Sequence, residues 1–161
     1  MDPLSITASV IAVLTAAGQV ADGLSKLKAL ISCAQDEVCQ LLNEVADLEL
    51  VIHQIEAATE NLPAAMNQET SGIRRSMDRA EKKLLELRDL IENRLGIPLS
   101  QNLDKLNKPD TLRISKLKWV KESQKAREIQ KDLRSIRQSL SLGLLAFNTY
   151  ISLHLDLSNV F

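Results

Sequence analysis

Eight residues, Val38, Leu41, Val45, Leu48, Ile52, Ile55, Thr59 and Leu62, follow one another at spacings that alternate between three and four. That period puts all eight on one side of an α-helix, whereas a strand would need them at every second position. The spacing predicts an amphipathic helix from Asp36 to Leu62, about 40 Å long at 1.5 Å of rise per residue, with Pro63 as its stop. A seam of that length has to be buried against other helices, which commits the chain to helix-on-helix packing.

The remaining segments agree. Asp2 before Pro3 is a helix opening, because the carboxylate accepts from the first free amides and proline at the first position lacks only a donor with no partner. The 19 residues from Pro3 to Ala21 carry no charge, and Leu4, Ile6, Val10, Ile11, Val13, Leu14 and Val20 read as spread around the whole circumference, which predicts a helix buried on all sides. A third helix follows the polar residues 67–72, with Ile73, Met77, Ala80, Leu84, Leu87 and Ile91 on one face, and Gly96 before Pro98 marks its left-handed end. Leu99, Leu103 and Leu106 suggest a short helix before the loop Asn107-Lys108-Pro109-Asp110. The last long helix carries Ala126, Ile129, Leu133, Ile136, Leu140, Leu144, Phe147 and Ile151 at helical spacing, and its polar face thins beyond Leu140.

Composition supports the same class. Of 161 residues 45% are apolar but only 2% aromatic, with five Gly and four Pro, which argues against a sandwich or barrel of strands. A chain this long buries about two-thirds of its unfolded surface and needs no disulfide or metal staple. The expectation is one domain over 1–161, an all-α up-and-down bundle of four long helices of roughly matched length plus one short helix, with the N-terminal helix largely buried.

Charge is unevenly distributed although the net value is −1. Between Ile31 and Thr70 there are eight carboxylates and no Lys or Arg; between Arg113 and Arg137 nine basic residues stand against three acidic ones. Either the two segments face each other or the solvent, or the basic stretch meets an anionic surface.

Residues with catalytic chemistry do not form recognisable constellations. His53 and His154 are a hundred positions apart with no partner pattern, so structural or surface roles are expected. Glu44, Glu56, Glu81 and Glu86 form no Glu-x-x-His pair, Gly18 and Gly23 are isolated rather than in a phosphate-cradling loop, and Cys33 and Cys39 lack metal-ligand spacing. The expectation is therefore a non-enzyme without metal or cofactor. Only Trp119 interleaves the basic stretch Lys116–Lys131 and the chain is slightly acidic, so nucleic acid is not the expected partner. Without a basic leader before the apolar run, and with no Arg before Arg74, the sequence reads as cytoplasmic and thiol-reducing.

The uncharged opening run is the informative feature. Its length falls in the window for a bilayer span, but Ser5, Thr7, Ser9, Thr15, Gly18 and Gln19 dilute it, so a single copy is not expected to insert unaided. In an assembly those polar groups face one another, and Ser5, Ala8, Ser9, Ala12 and Ala16 let helices approach closely.

The run Met1-Asp2-Pro3-Leu4-Ser5-Ile6-Thr7-Ala8-Ser9, continuing Val10-Ile11-Ala12-Val13-Leu14, closely resembles the start of the fungal N-terminal domain of STAND proteins, a HeLo-like group. A weaker second resemblance is Leu117-Lys118-Trp119, followed by a charged helix that turns leucine-rich at Leu140–Leu144. The resemblance implies a helical-bundle effector of fungal innate immunity and programmed cell death, usually followed by a nucleotide-binding oligomerisation module and repeats. In the similar HeLo domains of heterokaryon incompatibility, and by looser analogy in the four-helix executioner of necroptosis, oligomerisation frees the N-terminal helix to attack membranes. It implies as partners a second copy of the chain, anionic lipid on activation, and a downstream nucleotide-binding or repeat module. Combined with the residues, the expectation is a membrane-inserting helix through Leu4, Ile6, Val10, Ile11, Val13 and Leu14 and an anionic-lipid contact through Lys116, Lys118, Lys121 and Lys125, with relocation from cytoplasm to plasma membrane. The alternative is a protein-interaction adaptor without membrane activity, whose seam from Val38 to Leu62 is read by a partner helix.

Overall fold

Four helices follow in the order α1 (Leu4–Leu30), α2 (Gln35–Thr59), α3 (Ser71–Asp89) and α4 (Lys116–Ser158), with no strand among the described residues. The computed structural model describes residues 4–31, 34–60, 70–99 and 116–158, with side chains for all of these except 4, 5, 116 and 154–158. The all-α bundle expected from the heptad seam is present. The short helix expected around Leu103 and Leu106 lies outside the described residues, and Leu99 is non-helical and half-buried against the core. Leu62 and Pro63, the expected end of the second helix, also lie outside them; α2 runs for 25 residues.

Chain direction alternates from helix to helix, but the order around the bundle is not the order along the chain. Pairs Glu37–Arg127 and Glu44–Arg137 run α2 parallel to α4, and Lys83–Asp132 and Arg94–Glu122 run α3 antiparallel to it. Gln19–Arg88 and Lys26–Pro98 place α1 parallel to α3. Helix α1 packs on α2 and α3, and α4 packs on the same two, so α1 and α4 sit on one diagonal and α2 and α3 on the other. Helices α2 and α3, consecutive in the chain, are therefore not neighbours in the bundle.

Local sequence explains the elements. On α2, Val38, Leu41, Val45, Leu48, Ile52 and Ile55 are all buried, as their spacing requires. The seam is spent on the chain's own core, which removes it as a docking face for a partner helix. On α3, Ile73, Met77, Ala80, Leu84 and Leu87 are buried, and the helix then widens. Leu95 N–H bonds to the Leu90 carbonyl at 3.0 Å, a π turn over Leu90–Arg94, and Ile97 N–H reaches the Ile91 carbonyl at 3.0 Å. The extra residue rotates the chain so that Leu90, Ile91 and Leu95 all face inward. Gly96, at φ 75°, then closes the helix in the left-handed region that glycine occupies without steric penalty.

Matched helix lengths were expected; α4 is instead 43 residues, about 64 Å, against 25 for α2. Its inner face is the expected one, with Ala126, Ile129, Leu133, Ile136, Leu140 and Phe147 buried.

Candidate functional site: the N-terminal helix and the charged face of α4

The N-terminal helix does not have apolar contacts all round. Ile6, Val10, Val13, Ala17, Val20, Leu24, Leu27 and Ile31 are buried, at spacings that alternate four and three. This is the same heptad logic as α2, and it was hidden in the sequence because the opposite face is also uncharged as far as Ala21. Thr7, Ala8, Ile11, Thr15, Gly18 and Gln19 point outward, with Ile11 58% exposed, and Leu14 is half-buried at the margin. The side chain of Leu4 is outside the described set. The expected all-round burial is thus corrected to a helix in a corner of the bundle, with 39% of its most apolar window buried. The reason is topological: among the described residues α2, α3 and the π turn that ends α3 adjoin it, and together they cover one face.

Contacts that hold α1 differ in kind from those that hold α4. From Leu4 to Ala21 the helix has no ionisable side chain, and the ion pair formed by its charged end, Lys26–Asp22 at 2.7 Å, is internal. Tethers from its second half are neutral-acceptor hydrogen bonds, Arg88 Nη1 to Gln19 Oε1 at 3.0 Å and Lys26 Nζ to the Pro98 carbonyl at 3.3 Å. Gly23 is buried where the helix crosses the π turn, and a side chain there would run into Leu99 and Ile91. Within the helix, the Thr15 hydroxyl donates to the Ile11 carbonyl at 2.7 Å and that of Ser25 to Ala21 at 2.8 Å.

Helix α4, by contrast, is clamped by charge. Glu44, only 4% exposed, receives Arg137 Nε at 2.7 Å and Arg134 Nε at 3.2 Å. The bond to Glu44 holds the Arg137 guanidinium above its usual range. Glu37 accepts from Trp119 Nε1 at 2.9 Å and pairs with Arg127. The Arg127 hydrogen bond, with help from Trp119 and against partial desolvation, holds the Glu37 carboxyl below its ordinary value. Across the other groove Lys83 bonds Glu86 at 2.9 Å and Asp132 at 3.1 Å, which raises its ammonium pKa, and Arg94 meets Glu122 at 3.1 Å. Much of the charge asymmetry read from sequence is therefore resolved internally, acidic α2 against basic α4.

The lysines expected to meet lipid are separated by this arrangement. Lys118 and Lys121 are exposed on the first turns of α4. Lys125 is half-buried in an open groove of about 560 Å³ between α3 and α4, beside Asp78, Glu81 and Asp89, and does not share their outlook. The side chain of Lys116 lies outside the described set. Sequence reading missed Leu117 and Val120, 81% and 60% exposed beside Lys118 and Lys121; the signal was their position opposite buried Trp119.

His53 is exposed, with Nδ1 3.2 Å from Glu56 Oε2, and Cys39 is a free, half-buried thiol on α2; Cys33 and the His154 side chain are outside the described set. Among the described residues no three His, Cys, Asp or Glu side chains converge as metal ligands. Comparisons with protein-family models, with curated proteins and with solved structures give no match.

Proposed function

We propose that this chain is a membrane-targeting, cell-death-inducing effector domain of the fungal STAND type, soluble at rest and activated when oligomerisation releases α1. One observation carries the reading: α1 is a 27-residue helix, uncharged over its first two-thirds, held in a corner of the bundle by apolar packing while its neighbours are cross-braced by ion pairs. At about 40 Å it exceeds the 30 Å hydrocarbon thickness of a bilayer, and its mean hydropathy over the best window is 1.4. Removing it separates no charge pair between helices among the described residues. The back-bonded hydroxyls of Thr15 and Ser25 carry their acceptors with them, which lowers the cost of apolar surroundings. The similarity of the opening run to that family supports the same assignment.

In this reading the domain is cytoplasmic until copies cluster, works without a cofactor or enzymatic step, and moves to the plasma membrane. Its partners are further copies of itself, anionic lipid, and a nucleotide-binding or repeat module that brings copies together; nucleic acid is not among them. Ile6, Val10 and Val13 would reach the acyl chains only after release, whereas Leu14 is half-buried at the margin and Ile11 is outward already. The second reading, an interaction adaptor without membrane activity, draws on Leu142, Leu145 and Leu153, which are exposed along the far end of α4.

Ile11→Glu tests the first reading cleanly, because the site is solvent-facing and the bundle tolerates the charge while the apolar run does not. Dye release from phosphatidylcholine–phosphatidylserine vesicles should collapse in this variant when copies are clustered through a fused oligomerisation tag. Unchanged release would end the proposal, and a tagged wild-type protein that binds partners but never releases dye would favour the adaptor.

A further inference from the structure

Ionisable side chains divide α1 at one junction. From Leu4 to Ala21 it carries none, and the segment from Asp22 to Ile31 carries Asp22, Lys26 and Lys28. The uncharged part is 18 residues, about 27 Å, within the window for a bilayer span, whereas charged side chains are kept out of the hydrocarbon. The charged part is closely fitted to the bundle. Leu24 and Leu27 are wholly buried and Ile31 is nearly so, Gly23 is seated against Leu99 and Ile91 with no room for a Cβ, and Lys26 Nζ bonds the Pro98 carbonyl at 3.3 Å.

We infer that α1 does not leave the bundle as one rod: the run to Ala21 swings into the bilayer, the segment from Asp22 stays docked on α2 and the π turn, and the helix bends at the junction between them. This hinge deepens the membrane reading and rests on it for the destination of the first segment. Burial places the bend there. When the run to Ala21 spans the bilayer, Ile6, Val10, Val13, Ala17 and Val20 exchange the core for acyl chains, so their burial is replaced. Leu24, Leu27 and Ile31 then lie past the hydrocarbon, and undocking them would put three large aliphatic side chains in water with no apolar surface to receive them.

Local backbone chemistry suits a bend at the same place. Gly23 has no side chain to restrict new backbone angles, and the Ser25 hydroxyl already donates to the Ala21 carbonyl at 2.8 Å, so that carbonyl keeps a donor when the amide bonds of the turn open. Swinging out breaks the Arg88–Gln19 bond, a contact to a neutral acceptor, and leaves Lys26–Pro98 and the Asp22–Lys26 pair in place. The docked segment then anchors the inserted one to the bundle.

Hydrogen exchange of the tagged, clustered full chain tests the hinge, read amide by amide without lipid and on phosphatidylcholine–phosphatidylserine vesicles. Without lipid, the amides of Val10 and Val13 should exchange at least about tenfold faster than those of Leu24 and Leu27. On vesicles, Val10 and Val13 should slow by at least about tenfold as the bilayer shields them, while Leu24 and Leu27 stay within roughly threefold of their lipid-free rates. Two results overturn the hinge while leaving the membrane reading in place. One is a change of about tenfold or more at Leu24 and Leu27 on vesicles, in either direction, which means that the whole rod undocks. The other is equal lipid-free rates at all four amides, which makes α1 a single opening unit. Vesicles that alter none of the four rates would remove the membrane reading itself, and the hinge with it.

Discussion

Arg137 donates from Nε to Glu44 Oε1 over 2.7 Å, between positions 93 apart in sequence. The bond fixes the register of α4 on α2, because Glu44 is buried and accepts from Arg134 as well. Glu44→Ala leaves two guanidiniums without their carboxylate. Since Arg134 is largely exposed and Arg137 partly so, solvent screens much of the loss, and urea unfolding should show a destabilisation of about 1–2 kcal/mol. A change below about 0.5 kcal/mol would mean that the triad is not holding the two helices.

Acid should loosen the other end of the same clamp. The Glu37 carboxyl lies below 4.5 in the folded protein, chiefly through its bond from Arg127, so its contribution is complete above that value and is lost as pH falls through the lowered one. Glu37→Gln should therefore melt below wild type at neutral pH, and the gap in Tm should close as both are taken to acidic pH. A gap that is constant with pH would show that the charge of Glu37 is not what matters.

Two glycines of α1 should respond with opposite tendencies. Gly18 is exposed, and a Cβ there has nothing within 4 Å, so Gly18→Ala should stabilise by about 0.5–1 kcal/mol through helix propensity. At Gly23 a Cβ collides with the Leu99 side chain and lies 3.0 Å from Ile91 Cγ2. Gly23→Ala should forfeit the propensity gain and come out less stable than Gly18→Ala by about 1–2 kcal/mol in chemical denaturation. Equal effects would contradict the close approach of α1 to the π turn.

Hydrogen exchange should rank α1 below α2 and the central part of α4. Each helix has two helix neighbours, but the tethers of α1 end on neutral acceptors, so it opens at lower free energy than helices cross-linked by ion pairs of Glu44, Glu37 and Lys83. Amides of Val10 and Val13 that exchange as slowly as those of Leu48 and Leu133 would remove the physical basis for release.

Helix identity was legible in the sequence wherever apolar periodicity met a contrasting polar face. Val38 to Ile55 on α2 and Ile73 to Leu87 on α3 satisfied both conditions and are buried as their spacing implied. On α1 the seam from Ile6 to Ile31 is as regular, but the face carrying Ile11 and Thr15 has no charge before Asp22 to set it off, so the uncharged run read as all-round burial. The π turn at Leu90–Arg94 left no local signal, since it follows from the need to bury Leu90, Ile91 and Leu95 together.

Side-chain period is a property of neighbours along the chain, and it determined that this protein is made of helices and which stripe of α2, α3 and α4 turns inward. Which helix lies beside which is decided by contacts between distant positions, and no local pattern encodes them. Only the folded bundle decided that α1 and α4 occupy opposite corners, that Glu44 and Glu37 consume the arginines of α4 while Lys121 remains outward, and that the N-terminal helix is held by packing on one face. Those arrangements minimise unpaired buried charge and exposed apolar surface over the whole molecule at once, a condition that acts only when all four helices are in place.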